Sequence, residues 1–198
     1  MILALCGLLI VAWGKAAAAE PPAQSAAAGE AAMYERCMKL ARQNPGEARS
    51  LAQSWHERGG AHPADHCAAV ALIGLKQYKE AAVRLEALAQ AITAPAALRA
   101  EVLDQAGQAW GLAGDTVRAY AAAGAAVALE PNDLDLLIDR AQAAASAGYY
   151  DKAVADLDHV SGARHRVGFP AARDGLGRIR GRAAARYRRL PDPAAGPF

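Results

Sequence analysis

The chain has 198 residues, 54 % apolar and 21 % charged, which suffices for one sizeable core. Alanine dominates, Phe, Val and Ile are scarce, and no apolar run alternates with polar residues, so a strand-built fold is excluded and an all-α one expected. The formal net charge of +2 conceals a division: Glu20 to Ser161 holds 18 acidic and 12 basic residues, a net of −6, whereas Gly162 to Phe198 holds nine Arg against Asp174 and Asp192, a net of +7. Such a split points either to internal docking or to a basic tail meant for an anionic partner.

At the amino end, Ile2 to Trp13 is a 12-residue apolar run followed by Gly14-Lys15 and Ala16-Ala17-Ala18-Ala19-Glu20. That is too short for a helix across a bilayer, which takes about 20 residues. An apolar run ahead of an A-x-A site reads as a secretory signal peptide over residues 1–19, cut after Ala19. Cys6 follows Leu3-Ala4-Leu5 and lacks the small residue that a lipid anchor needs directly before it. Pro21 to Gly29 (PPAQSAAAG) then reads as part of a disordered linker over residues 20–30.

Residues 31–162 carry helical spacing in about four paired segments. In the first, Ala48, Ala52 and Trp55 follow the turn Asn44-Pro45-Gly46. In the second, LKQYKEAAVRLEAL (Leu75 to Leu88) places Ala81 33 residues after Ala48 and resembles AGYYDKAVADLDHV (Ala147 to Val160). In the third, Leu103, Ala106, Gly107 and Trp110 fall at 0, 3, 4 and 7 on one helix, and Ala119, Ala123 and Ala126 on the next, with Gly114-Asp115 between them and Pro131 after them. In the fourth, Leu137, Ala141 and Ala144 precede Gly148, 34 residues after Gly114, and Ala153, 34 after Ala119. The step from Ala81 to Ala119 is 38, and Thr93-Ala94-Pro95 absorbs the excess as a longer turn.

The third unit resembles the tetratricopeptide repeat, with its pattern W-x2-L-G-x2-Y, then A-x3-F, then P over about 34 residues. Gly107 and Pro131 match, Trp110 fills the Tyr position and Ala119 the small one, while Leu103 stands for Trp, Ala106 for Leu and Ala123 for Phe. The resemblance implies a superhelical solenoid of helix pairs, each unable to bury its apolar face without its neighbours.

In such a stack Cys37 lies on the first helix of the first unit and Cys67 on that of the second, so the two are placed to form a disulfide in an oxidising compartment. Two buried free thiols are the alternative. His56, His62, His66 and Cys67 crowd around Gly59-Gly60, and His62 and His66 with a Cys have the makings of a Zn²⁺ site. Pro63, however, sets His62 before the helix start, and the disulfide competes for Cys67, so no metal is expected. No G-x-S-x-G, phosphate loop, H-E-x-x-H or dinucleotide glycine pattern is present, and neither catalysis nor a cofactor is expected.

In the tetratricopeptide family the first helices of successive units line a concave groove that holds a peptide or a partner helix. Carried over by motif position, the groove residues are Glu101, Asp104, Gln105 and Gln108 in one unit and Asp135, Ile138, Asp139 and Gln142 in the next. Some members grip a C-terminal carboxylate here with Lys, Arg and Asn. Acids and amides in their place favour a basic or neutral protein segment.

Beyond Ser161, Ala163 to Pro170 reads as a loop, and Leu176, Ile179, Ala183, Tyr187 and Leu190 form an apolar stripe on an amphipathic helix ending before Pro191. Within the Arg-rich tail, 163–198, this helix is expected to cap the solenoid. Its arginines (Arg178, Arg180, Arg182, Arg186, Arg188, Arg189) would lie against the acidic last unit, enter the groove, or meet an anionic membrane surface. Nucleic acid is not expected, for lack of an aromatic platform. Together these features describe an exported, non-enzymatic interaction adaptor of the bacterial periplasm, with an envelope assembly factor or membrane-surface protein acting through the tail as the alternative.

Overall fold

The computed structural model describes residues 22–93 and 95–166. Over them the chain forms eight α-helices and no strand: α1 (Pro22–Gln43), α2 (Pro45–Trp55), α3 (Ala61–Gly74), α4 (Tyr78–Ala91), α5 (Ala96–Leu112), α6 (Thr116–Leu129), α7 (Leu134–Ala147) and α8 (Tyr150–Arg166). They pair as four hairpins, each helix packing on the next, with α1 also against α3 and α5 against α7.

One alanine per hairpin sets the register. Ala48, Ala81, Ala119 and Ala153 each donate their N–H to the carbonyl four residues back, at Asn44, Gln77, Asp115 and Tyr149, and all four are buried. The approach at this level is close. A Cβ added at Gly107 would lie 3.2 Å from the Ala119 carbonyl oxygen and 3.3 Å from the Ala123 nitrogen, backbone that cannot swing aside. Around these small contacts Leu72, Leu85, Trp110, Leu157 and Val160 are fully buried. The Trp110 indole N–H donates to Glu86 Oε1 at 2.9 Å and Arg118 stacks 4.6 Å above the ring, so the largest core side chain buries no unpaired polar atom. Arg140 grips Asp156 with two bonds, 2.8 and 2.6 Å, tying α7 to α8.

The turns repeat as well. In hairpins two to four the first helix ends on a residue of positive φ: Lys76 (59°), Gly114 (81°) and Gly148 (86°). Each donates its N–H three residues back, and the following N–H reaches five back, at Leu72, Trp110 and Ala144. That pair of bonds is the Schellman closure. Asn44, Asp115 and Asp133 then cap the next helices through their side-chain oxygens.

Two boundaries differ from expectation. α1 starts at Pro22, inside the stretch read as a linker, because alanine is the strongest helix former and proline is tolerated in a first turn. α8 runs on to Arg166, past Ala163, where a loop was expected; the Ser161 hydroxyl donates back to the Leu157 carbonyl at 2.8 Å and the helix continues through Gly162. Residues 1–21, with the expected leader, and 167–198, with the expected cap and its six arginines, lie outside the described residues.

Lys76 occupies a backbone conformation that glycine holds in the other two turns. Lys76→Gly is expected to stabilise the fold by about 0.5–1 kcal/mol, and Gly148→Ala to destabilise it by about 1–2 kcal/mol. Urea unfolding midpoints check both, and an unchanged or lowered midpoint for Lys76→Gly would contradict the strain.

Candidate partner-binding groove

The residues carried over to α5 stand at i, i+3, i+4 and i+7, so they share one face in two adjoining stripes. The structure sends those stripes into two cavities. Glu101 and Gln105 border one between α1, α3 and α5; Asp104 and Gln108 border another between α5, α6 and α7.

The first cavity has a volume of about 420 Å³. Ala27, Ala31, Pro63, Leu88, Ile92, Leu98 and Val102 give it apolar walls, and Glu30 and Glu101 bring carboxylates. A chain of hydrogen bonds crosses it from helix to helix. His66 Nε2 lies 2.7 Å from Gln105 Oε1, and its Nδ1 2.7 Å from the Tyr34 hydroxyl. Because the Gln105 oxygen can only accept, Nε2 carries the ring proton, and Nδ1 accepts from the Tyr34 hydroxyl. Burial lowers the His66 pKa below its usual range, against smaller opposing effects of Gln105 and Glu101, so the ring is uncharged at neutral pH. Burial, followed by the Glu101 charge, raises the Tyr34 pKa. The polar strip is therefore neutral, and the charge in this cavity is negative.

The Cys37–Cys67 disulfide ties α1 to α3, with Cα atoms 6.1 Å apart, and both cysteines are fully buried beside Ala52, Trp55 and Ala64. It fixes Tyr34, one turn from Cys37, against His66, which precedes Cys67. Cys67 is thus committed to sulfur, His66 to Tyr34 and Gln105, and His56 to Asp65 at 2.8 Å. His62 lines the cavity from the first turn of α3, where Pro63 is also accommodated, rather than preceding the helix. Among the described residues no group of three or more His, Cys, Asp or Glu is arranged to hold a metal ion.

The second cavity, about 580 Å³, is lined by Asp104, Gly107, Gln108, Thr116, Asp139, Gln142 and Ser146 among others. The Gln108 amide donates to Asp104 Oδ2 at 2.7 Å and to Asp139 Oδ2 at 3.3 Å. Burial first, then the charge and hydrogen bond of Asp139, push the Asp104 pKa up to about 7. Near neutral pH these two carboxyls share a proton for part of the time, and this recess is less acidic than its composition suggests. Asp135 and Ile138 border neither cavity. Asp135 is exposed in the first turn of α7, and Ile138 packs against the buried group of Ala126, Val127 and Leu137. Sequence reasoning passed over Tyr34 and Glu30, which sat at the edge of an apparent linker, and weighed His66 as a metal ligand. Their common signal is that each lies on a first helix.

No family model matches the chain, and no curated protein matches it. Solved structures do. A Podospora anserina kinesin light chain with nearly identical TPR-like repeats, in a variant form, superposes with a TM-score of 0.67 at 18 % identity, over 79 % of this chain and 85 % of that one. Another crystal structure of that repeat protein gives 0.64 at 17 % identity, over 86 % and 88 %. The fold is a TPR-like solenoid. Among the described residues no helix is long and apolar enough to cross a membrane.

Closing a loop of 30 residues, the disulfide is expected to contribute roughly 3–4 kcal/mol in the chain-entropy account. A Cys37→Ala/Cys67→Ala double variant should lose about that much in urea unfolding, and an unchanged midpoint would show that the bridge constrains nothing. A carboxyl whose pKa rises on folding, from 3.8 to about 7, binds more proton folded than unfolded, so its contribution is lost as pH climbs through that window. Asp104→Asn, shaped like the protonated form, is expected to raise the thermal midpoint at about pH 8 and flatten this slope. A variant with the wild-type pH profile would rule out the shared proton.

Proposed function

We propose that this protein is a non-enzymatic interaction adaptor of the bacterial cell envelope. On this proposal residues 1–19 export it to the periplasm, and it binds a basic or neutral peptide or partner helix along the faces of α5 and α7. The observation that carries it is the convergence of Asp104, Gln108, Asp139 and Gln142 on one recess, with Glu101 and Gln105 continuing the same face of α5 into the neighbouring cavity. A TPR-like stack serves generally as a scaffold for protein partners. A partner cation entering beside Asp104 would discharge the shared proton, so its binding should strengthen as pH rises above about 7.

A second proposal, an envelope assembly factor acting at a membrane surface through the arginines of the carboxyl-terminal segment, draws on the +7 against −6 division of charge. Vesicle flotation of the full chain with and without anionic lipid separates the two.

Affinity capture from an envelope extract is the test of the adaptor. The variant Glu101→Ala/Asp104→Ala/Asp135→Ala/Asp139→Ala should lose a specifically retained basic protein by about tenfold or more, equivalent to about 1.4 kcal/mol. Equal capture by both proteins would refute the groove.

A further inference from the structure

The cavity between α1, α3 and α5 is formed by apolar side chains, a neutral Tyr34–His66–Gln105 strip, His62 and two carboxylates, and no Lys or Arg is among the described residues that line it. Leu98 stays 42 % exposed at its border. A complementary occupant has one or two large apolar side chains within a turn of several cations. The chain carries such a segment itself: Arg186-Tyr187-Arg188-Arg189-Leu190, with Tyr187 and Leu190 at i and i+3 on the apolar stripe of the tail.

We propose that Tyr187 and Leu190 seat in this cavity in cis, with the flanking arginines against Glu30 and Glu101. Five residues separate Arg166, where α8 ends, from Ala172. Those five, extended at ~3.4 Å each and followed by the helix that the sequence predicts from Ala172 at ~1.5 Å per residue, would let Tyr187 reach ~40 Å from the end of α8. Packed helices lie ~8–10 Å apart, so a cavity two hairpins back along the stack is ~20–30 Å away. A tether of that length supplies an effective concentration in the millimolar range, enough to fill the site from a contact too weak to persist between separate molecules.

The nearer recess at Asp104 and Asp139 is a poorer seat, since small and polar residues line it and a shared proton reduces its charge. The apolar run Ile2 to Trp13 is a poorer occupant, since Lys15 is its only basic neighbour. The inference stands apart from the adaptor proposal except that both use Glu101 and Gln105, and its test needs no partner.

The test uses the full chain carrying p-benzoylphenylalanine in place of Leu98, irradiated and mapped by mass spectrometry. The expected product is a cross-link to residues 186–190 of the same molecule, in a yield independent of protein concentration. It should be lost in about 1 M NaCl and in a Glu30→Gln/Glu101→Gln variant that keeps wild-type helicity and its disulfide. Cross-links to residues 2–19, to a second copy, or nowhere in 172–198 would overturn the proposal, as would a cross-link to 186–190 that salt leaves untouched.

Discussion

A hairpin of two 14-residue helices cannot cover its own apolar face, and everything else in this molecule depends on how closely neighbouring helices approach to cover it. Alanine stands at the same place in each second helix, at 48, 81, 119 and 153, and in the third hairpin Gly107 removes even the methyl opposite. A larger residue at any of these places would push the helices apart and open the leucine and tryptophan layers to water. This explains how a chain poor in Phe, Val and Ile still buries apolar clusters along the whole stack. Close backbone approach replaces side-chain bulk.

The repeat step lengthens between the second and third hairpins, and the cavity bordered by α1, α3 and α5 lies there. The step is 38 residues instead of 33 or 34, and α5 has 17 residues where its neighbours α4 and α6 have 14. Whereas α1 packs on α3 and α5 on α7, α3 and α5 share one buried cluster with α4 and are joined by the His66–Gln105 hydrogen bond. The space between them is closed from the side by α1, held to α3 by the disulfide. A bridge that steadies the amino-terminal hairpin therefore also fixes one wall of the cavity.

The repeat register was legible because it rests on local chemistry: Ala at fixed offsets from a cap residue, Gly in the left-handed turn, Pro after the helix. Lys76 shows the limit of that legibility, since its turn closes as the glycine turns do and only its backbone angle reveals the equivalence. The start of α1 was not legible, because PPAQSAAAG suits a linker as well as a helix and its neighbours decide the outcome. Nor was the role of His66. Its partners lie 32 and 39 residues away on separate helices, and no spacing within a single helix announces them. The face of α5 was found by motif position, but its division between two cavities follows from where α3 and α7 stand.

Charge on this face cannot be counted from its carboxylates alone. Asp104 and Asp139 are within reach of one amide, and burial raises the Asp104 pKa to about 7, so near neutral pH the recess responds to a cation by giving up a proton as well as by attraction. In the neighbouring cavity Glu30 and Glu101 stand beside a histidine that is held neutral. Two cavities of similar size on adjoining stripes of one helix thus differ in kind. One holds a carboxyl whose pKa is raised to about 7, and the other sets two carboxylates beside an apolar space, the condition under which an arginine-flanked aromatic residue is drawn in and retained.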